Sequence, residues 1–148
     1  MRIDVRRLGP GDDEAVVAAA ALFDQAPNPE ATRRFLADPT HHLLVAYDGG
    51  GRPVGFVSGI EVTHPDKGTE MFLYELAVDE AVRRRGVGRT LVEALAARAR
   101  EHDCYGMWVL ADDDNQAARA TYASAGGRTA SRPVMIDWDF RERAPVRR

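Results

Sequence analysis

Apolar and polar residues recur along the chain with periods that predict ten secondary-structure elements. Six stretches have the alternation or the short apolar run of a strand, and four have the helical period. Prolines and glycines separate them, as in Gly9-Pro10-Gly11 and Asp48-Gly49-Gly50-Gly51. In chain order the pattern predicts a strand at 2–8, helices at 15–23 and 30–37, strands at 42–47, 53–62 and 71–79, a helix at 87–101, a strand at 104–111, a helix at 115–125 and a last strand at 134–140.

The order β-α-α-β-β-β-α-β-α-β predicts an α+β fold with a mixed, mostly antiparallel sheet and helices on its faces. The three consecutive strands in the first half favour antiparallel pairing. The strand at 71–79, the helix at 87–101 and the strand at 104–111 predict a β-α-β crossover.

Composition and charge narrow the class of protein. The chain has 148 residues, the size of one domain, so we expect a single domain over 1–148 with a charged, frayed tail at about 141–148. A net charge of −3 argues against a nucleic-acid partner. One cysteine, Cys104, fits a reducing compartment. The N-terminus lacks the apolar core of a signal peptide, and no apolar run is long enough for a membrane span, so we expect a cytoplasmic protein with no membrane partner.

The segment Arg83-Arg84-Arg85-Gly86-Val87-Gly88 lies between a predicted strand and the longest predicted helix. A glycine turn at that place exposes backbone N–H groups at the positive end of the helix dipole, and flanking arginines add donors for phosphate. The spacing fits neither a Rossmann fingerprint nor a P-loop. The alternative is an ordinary strand–helix connection with a solvated run of arginines.

The pattern Arg83-x-x-Gly86-x-Gly88 resembles the acetyl-CoA loop of the GNAT superfamily of N-acetyltransferases. Downstream, Asn115-x-x-Ala118-x-x-x-Tyr122-x-x-x-Gly126 resembles a second signature of the same superfamily, in the same order and on the same elements.

A finer resemblance is to the type I aminoglycoside 3-N-acetyltransferases. Three segments carry it: Arg7-Leu8-Gly9-Pro10, the run Leu-Tyr-Glu-Leu-Ala-Val at 73–78, and Val134-Met135 with the acidic residues that follow. That family typically has Asp at the position of Glu75.

The superfamily resemblance implies that the strands at 73–79 and 105–110 splay apart and that pantetheine lies between them, with the pyrophosphate on the glycine turn. Acetyl-CoA is the implied co-substrate. The implied acetyl-CoA contacts are Leu76, Ala77, Val78, Arg83, Arg84, Arg85, Gly86, Val87, Gly88, Arg89, Thr90, Asn115, Ala118 and Tyr122.

Two residues carry the implied chemistry. Tyr122 is the candidate general acid for the leaving thiolate, and Glu75 is the candidate base for the ammonium of the acceptor. Asp79 is a weaker rival for the base. Each residue also has a purely structural alternative: Tyr122 as a core tyrosine on an alanine-rich helix, and Glu75 as a solvent-facing carboxylate on a strand.

Acidic residues near the predicted site suggest a cationic acceptor. Asp112, Asp113 and Asp137, with Glu75, are the candidate substrate contacts, although an aspartate before Asn115 also suits helix capping. The four histidines lack the spacing of metal ligands, so no metal site is predicted.

Together these features predict an acetyl-CoA-dependent N-acetyltransferase that acetylates a primary amine directly, with a small cationic molecule such as an aminoglycoside as acceptor. The alternatives are another small amine, a protein N-terminus, or a non-catalytic acyl-CoA-binding module. A homodimer is expected by analogy with the superfamily, with the region around Trp138 as a natural contact.

Overall fold

The computed structural model describes residues 1–141, and within them it contains a five-stranded sheet and four α-helices. The strands are β1 (Asp4–Leu8), β2 (His41–Tyr47), β3 (Pro53–His64), β4 (Gly68–Val78) and β5 (Met107–Trp108). The helices are α1 (Asp13–Ala18), α2 (Pro29–Ala37), α3 (Val87–Glu101) and α4 (Gln116–Ser124), with short 3₁₀ turns at Ala20–Leu22 and Glu80–Val82.

The strands lie in the order β1-β2-β3-β4-β5. The first three pairings are antiparallel, and β4 pairs with β5 in parallel through Met71↔Met107 and Phe72↔Trp108. The predicted α+β class, with its mostly antiparallel sheet and its β-α-β crossover, is confirmed.

Helices cover both faces of the sheet. The central strands are apolar at consecutive positions, as strands buried on both faces must be. Leu44 and Ala46 on β2 pack on the side of α3, whose stripe of Val87, Leu91, Leu95 and Ala99 is buried. Leu43 and Val45 point to the other face, where Val16 of α1 and Leu36 of α2 complete a second core. The alternation within a single strand therefore divides the core between the two helix layers.

Local signals account for the helix starts. Asn28 caps α2 by accepting a hydrogen bond from the Ala31 N–H at 2.9 Å, and Pro29 occupies the first helical position. The predicted helix at 15–23 is split, because α1 ends at Ala18 and Ala20–Leu22 continues as a 3₁₀ turn. No helix among residues 1–141 has the length and hydropathy that a membrane crossing requires.

Two sequence predictions need correction at the far end of the sheet. The predicted strand at 104–111 forms a ladder only at Met107–Trp108. The predicted last strand at 134–140 is not formed, although its residues alternate as expected. Alternation does not supply a neighbouring strand, and the apolar side chains of Val134, Ile136, Trp138 and Phe140 are between 71% and 90% exposed. Apart from Arg141, the predicted frayed tail lies outside the described residues.

Candidate functional site

β4 and β5 separate soon after they pair. Their ladder stops at Phe72 and Trp108, whereas β4 continues to Val78 with β3 as its partner on the other side. Within the described chain, the edge of β4 beyond Phe72 thus turns towards a gap rather than towards a strand. Backbone N–H and C=O groups along such an edge can pair with an extended ligand.

A cavity of about 560 Å³, the strand-gap cavity, lies at this separation. Its walls come from β4, from the segment after β5, from α4 and from the segment at 133–135. Seven residues predicted for the site line it: Glu75, Leu76, Ala77, Asp112, Asn115, Ala118 and Tyr122.

The glycine turn at 83–88, the anion turn, leads directly into α3. Gly86 has φ +81° and lies at the N-cap position of α3, where no side chain caps the helix. The first N–H groups of α3 therefore lack a side-chain acceptor, which is the arrangement that binds an anion. Arg83, Arg84 and Arg85 are exposed beside it, and Arg84 also has a left-handed backbone with φ +66°.

Two further residues predicted for the phosphate have other partners. The Thr90 hydroxyl donates to the Gly86 carbonyl oxygen at 2.8 Å, and Arg89 Nε lies 2.6 Å from Glu93 Oε1 one helical turn away. The Thr90 hydroxyl is thus bonded within the helix, whereas Arg89 keeps its Nη donors for a phosphate, because only its Nε is paired with Glu93.

Gly88 joins the turn to the strand-gap cavity. A Cβ atom at this position would lie 3.0 Å from Thr121 Cγ2, 3.6 Å from Val78 Cγ2 and 3.8 Å from Leu76 Cδ2. A glycine thus lets the first turn of α3 approach both α4 and the end of β4. The anion turn and the strand-gap cavity consequently lie at the same end of the sheet.

Tyr122 is partly buried on α4, where it lines the strand-gap cavity and packs against the α3 core. Burial raises the pKa of its phenol, so the hydroxyl keeps its proton at neutral pH. Asn115 begins α4 by accepting a hydrogen bond from the Ala118 N–H at 3.1 Å, while it also lines the cavity. The capping and site interpretations of Asn115 are therefore compatible.

Glu75 lies where β3 and β4 shift register. The bulge falls between Ser58 and Gly59, and the Glu75 N–H donates to Ser58 Oγ at 3.2 Å. Burial, and then the negative charge of Asp24, raise the pKa of the Glu75 carboxyl. A carboxylate with a raised pKa is a better proton acceptor than an ordinary one.

Asp79, the rival for the base, is held by other groups. Its Oδ1 accepts a hydrogen bond from the Ala81 N–H at 2.9 Å, and its Oδ2 lies 2.6 Å from Arg52 Nη1. These two bonds lower the pKa of Asp79. Its carboxylate is stabilised in the charged form, which makes it a poorer base than Glu75.

A second cavity of about 560 Å³, the α1–α2 cavity, adjoins the first at Glu75. It is lined mainly by the segment from Phe23 to Asn28, by α2 and by β3. The two cavities share four lining residues: Asp24, Phe56, Tyr74 and Glu75. Sequence reasoning missed Asp24, because it lies in an irregular segment and belongs to no motif.

The predicted acidic substrate contacts do not all converge. Asp112 lines the strand-gap cavity. Asp113 instead lies 3.4 Å from Arg119 Nη1 and 3.9 Å from Arg132 Nε. Asp137 is exposed and does not line either cavity. Asp24, Glu75 and Asp112 are therefore the acidic residues that surround the two cavities.

A sheet that opens between two parallel strands, beside an uncapped helix N-terminus, can hold an extended ligand along the strand edge and an anionic group at the helix. The chain belongs to the Acetyltransferase (GNAT) family, whose family model matches residues 13–126. Members of this family use acetyl-CoA as co-substrate.

The chain is similar to several named acetyltransferases. It is 36% identical over 97 residues to the L-2,4-diaminobutyric acid acetyltransferase of Streptomyces coelicolor, and the matched region covers 63% of this chain and 56% of that protein. It is 38% identical over 130 residues to the mycothiol acetyltransferase of Clavibacter sepedonicus, and the matched region covers 82% of this chain and 40% of that protein. The chain thus spans about half the length of these curated relatives.

Among solved structures, the fold matches an aminoglycoside acetyltransferase from an uncultured soil metagenomic sample. The TM-score is 0.85 over 94% of this chain and 97% of that chain, at 20% sequence identity. At this identity the similarity establishes the fold.

Proposed function

We propose that the protein is an acetyl-CoA-dependent N-acetyltransferase that acetylates a primary amine without a covalent enzyme intermediate. One observation carries the proposal. Glu75 and Tyr122 line the same cavity, at the point where β4 and β5 separate and beside the anion turn of α3. An acyl thioester held along the edge of β4 then has a base on one side and an acid on the other.

In the proposed reaction, Glu75 takes a proton from the acceptor ammonium, directly or through water. The neutral amine attacks the thioester carbonyl, so that a C–N bond forms and the C–S bond breaks. A backbone N–H near Leu76 to Val78 stabilises the oxyanion, and the Tyr122 hydroxyl protonates the leaving thiolate. The second proton that the attacking nitrogen loses passes through water to the Tyr122 phenolate and restores the phenol. The pyrophosphate of acetyl-CoA binds the first N–H groups of α3 and the exposed arginines.

The proposed acceptor is a small cationic amine. Asp24 and Glu75 lie where the two cavities meet, and Asp112 lines the strand-gap cavity. Three carboxylates around the two adjoining cavities favour an ammonium over a neutral or anionic acceptor. We take an aminoglycoside as the leading acceptor, with the 3-N position favoured by the sequence resemblance; a structurally similar protein is named as an aminoglycoside acetyltransferase.

A short diamine is the second acceptor that an observation favours. Aromatic and aliphatic residues, including Phe23, Phe35, Phe56 and Ile60, form much of the wall of the α1–α2 cavity. Its two carboxylates, Asp24 and Glu75, are those it shares with the strand-gap cavity. This arrangement suits a compact amine, and a relative is named as a diaminobutyric acid acetyltransferase.

The test is thiol release from acetyl-CoA with a panel of amines: a gentamicin-like aminoglycoside, 2,4-diaminobutyric acid, a polyamine and a short peptide. Turnover with the aminoglycoside supports the leading acceptor, and turnover with the diamine alone replaces it. Acetylation of the peptide alone would assign a protein N-terminus instead. Acetyl-CoA binding without turnover of any amine would overturn the enzyme in favour of an acyl-CoA-binding module.

We further propose that the protein is a cytoplasmic homodimer. Five apolar side chains of one segment are 71% to 90% exposed: Val134, Met135, Ile136, Trp138 and Phe140. Exposed apolar residues grouped in this way mark a contact surface. Burial between two copies would remove it from water. Light scattering should give the mass of a dimer, and Trp138→Asp should shift the mass towards the monomer. A monomeric mass for the unmodified chain would contradict the proposal.

A further inference from the structure

Two histidines and a glutamate from three separate elements meet on the α3 side of the sheet. His42 lies on β2, Glu61 lies on β3, and His102 follows α3 directly. Glu61 Oε2 is 2.7 Å from His42 Nε2 and 2.9 Å from His102 Nδ1. The His42 side chain is completely buried, whereas His102 is about one-third exposed.

This cluster is distinct from the proposed acetyl-transfer site. It lies at the C-terminal end of α3, and the anion turn lies at the N-terminal end of the same helix. A helix of 15 residues is about 22 Å long. None of the three residues lines either of the two cavities.

We propose that His42, Glu61 and His102 form a binding site for a divalent transition metal, with Zn²⁺ as the natural occupant. Two imidazoles and one carboxylate are a common zinc donor set, and the three ligand atoms already lie within 4.8 Å of one another. Metal–ligand bonds of about 2.0–2.2 Å in a tetrahedron place the donor atoms about 3.3 Å apart. The two contacts to Glu61 must lengthen by about half an ångström for the metal to enter. The partly exposed His102 leaves the fourth position open to water.

Arg98 determines where the protons lie before a metal binds. Its Nε is 3.3 Å from His42 Nδ1, and a guanidinium N–H can only donate. His42 Nδ1 is therefore the acceptor, and the proton on Nε2 is donated to Glu61. A metal at Nε2 requires that proton to move to Nδ1, so Arg98 must withdraw. Glu101 Oε2, 3.9 Å from Arg98 Nη1, gives the guanidinium another partner.

The metal would join β2, β3 and the end of α3, elements that hydrogen bonds and side-chain packing otherwise hold together. Its expected role is to stabilise the fold, because its ligands lie far from the proposed chemistry. The sequence gives no sign of this site, since residues 42, 61 and 102 have no ligand spacing.

The site is tested by titrating zinc into the chelator-treated protein. Titration calorimetry measures the stoichiometry and affinity, and scanning calorimetry measures the melting temperature. We expect one ion per chain and a melting temperature that rises with zinc. Glu61→Gln and His102→Ala should each weaken binding by more than about 100-fold, beyond the 10- to 100-fold cost of losing an outer partner. Cobalt should give the visible absorption of a tetrahedral site in the unmodified protein and not in these variants.

Two further variants distinguish a metal site from ordinary histidine–carboxylate pairing. His64 Nε2 lies 2.9 Å from Glu70 Oε1, a comparable pair that has no third metal ligand among residues 1–141. His64→Ala should therefore leave zinc affinity unchanged. Arg98→Met should tighten binding, because it removes the donor that competes for His42. Equal affinity in the unmodified protein, Glu61→Gln and His102→Ala would overturn the site. Unchanged affinity in Arg98→Met would overturn the assignment of His42 Nε2 as a ligand.

Discussion

Asp24 and Glu75 lie at the junction of the two cavities, and the negative charge of Asp24 adds to burial in raising the pKa of the Glu75 carboxyl. The two carboxylates come from unrelated parts of the chain, an irregular segment after the Ala20–Leu22 turn and the middle of β4. An ammonium held between them would lie beside the proposed base and next to the edge of β4.

Replacement of Asp24 by Asn should move the acidic limb of the pH profile of kcat/KM to lower pH. Loss of its charge lowers the pKa of Glu75, so Glu75 becomes a functional base at lower pH. The KM for a cationic acceptor should rise by up to about fivefold, the effect of a partly exposed ion pair. Asp66→Asn, on the exposed loop beside Lys67, removes the same charge away from the site. If both variants shift the profile equally, the effect is one of net charge, and the Asp24–Glu75 coupling is refuted.

Glu75→Gln should lower kcat by about 10²- to 10⁴-fold while acetyl-CoA binding is kept, because the proton of the ammonium loses its acceptor. The same variant should melt at a higher temperature than the unmodified protein at pH 7. The raised pKa means that the folded state disfavours ionised Glu75, so the ionised form costs stability once the pH rises through that pKa. The difference should vanish below about pH 3, where the carboxyl is protonated in both states. A lower melting temperature at pH 7 would contradict the stability expectation, and an unchanged kcat would remove Glu75 from the role of base.

Tyr122→Phe should lower kcat by at least about 10²-fold and leave the affinity for acetyl-CoA nearly unchanged. Burial alone acts on the Tyr122 phenol, with no hydrogen bond to another described residue, so loss of the hydroxyl should cost little stability. An acetyl thioester whose thiol has a low pKa releases a thiolate that needs no proton from the enzyme. The unmodified protein and Tyr122→Phe should therefore use such a thioester at nearly equal rates. Equal losses for all thioesters would remove Tyr122 from the role of general acid.

Gly88→Ala should weaken CoA binding, because the new Cβ lies 3.0 Å from Thr121 Cγ2 and fits only if α4 moves by a few tenths of an ångström. The cost of that shift is offset by the roughly 0.5–1 kcal/mol that alanine gains over glycine inside a helix. Thr121→Ser removes that methyl group and keeps the hydroxyl, which donates to the Ala117 carbonyl oxygen at 3.0 Å. In the Thr121→Ser background, Gly88→Ala should therefore cost less. Urea unfolding of the four proteins gives the coupling energy directly. The same cost in both backgrounds would show that α4 does not determine the glycine at this position.

Much of the local structure could be predicted from short-range patterns. The bounds of α3 follow from the stripe Val87, Leu91, Leu95 and Ala99 and from the glycine before it. The turn at 48–51 follows from Asp48, whose Oδ1 accepts hydrogen bonds from the Gly50 and Arg52 N–H groups. Helix caps at Asn28 and Asn115 are equally local. In each case the interacting groups are a few residues apart, so the sequence contains both partners.

The predicted last strand shows that a short-range pattern alone does not decide whether a strand forms. Residues 134–140 alternate as a strand should, yet a strand exists only when another strand supplies its hydrogen bonds, and the described chain offers none there. The shortness of β5 has the same origin, because its ladder ends where β4 turns away.

By itself the sequence determined the fold class, the anion turn, and the presence of Glu75, Asn115 and Tyr122 on their elements. Only the tertiary structure decided which acidic residues converge, placing Asp24 beside Glu75 and Asp113 against Arg119. It also brought together His42, Glu61 and His102, which are 19 and 41 residues apart along the chain. Periodicity and capping act over a few residues, whereas these meetings depend on strand register, crossover direction and the packing of α3 on the sheet.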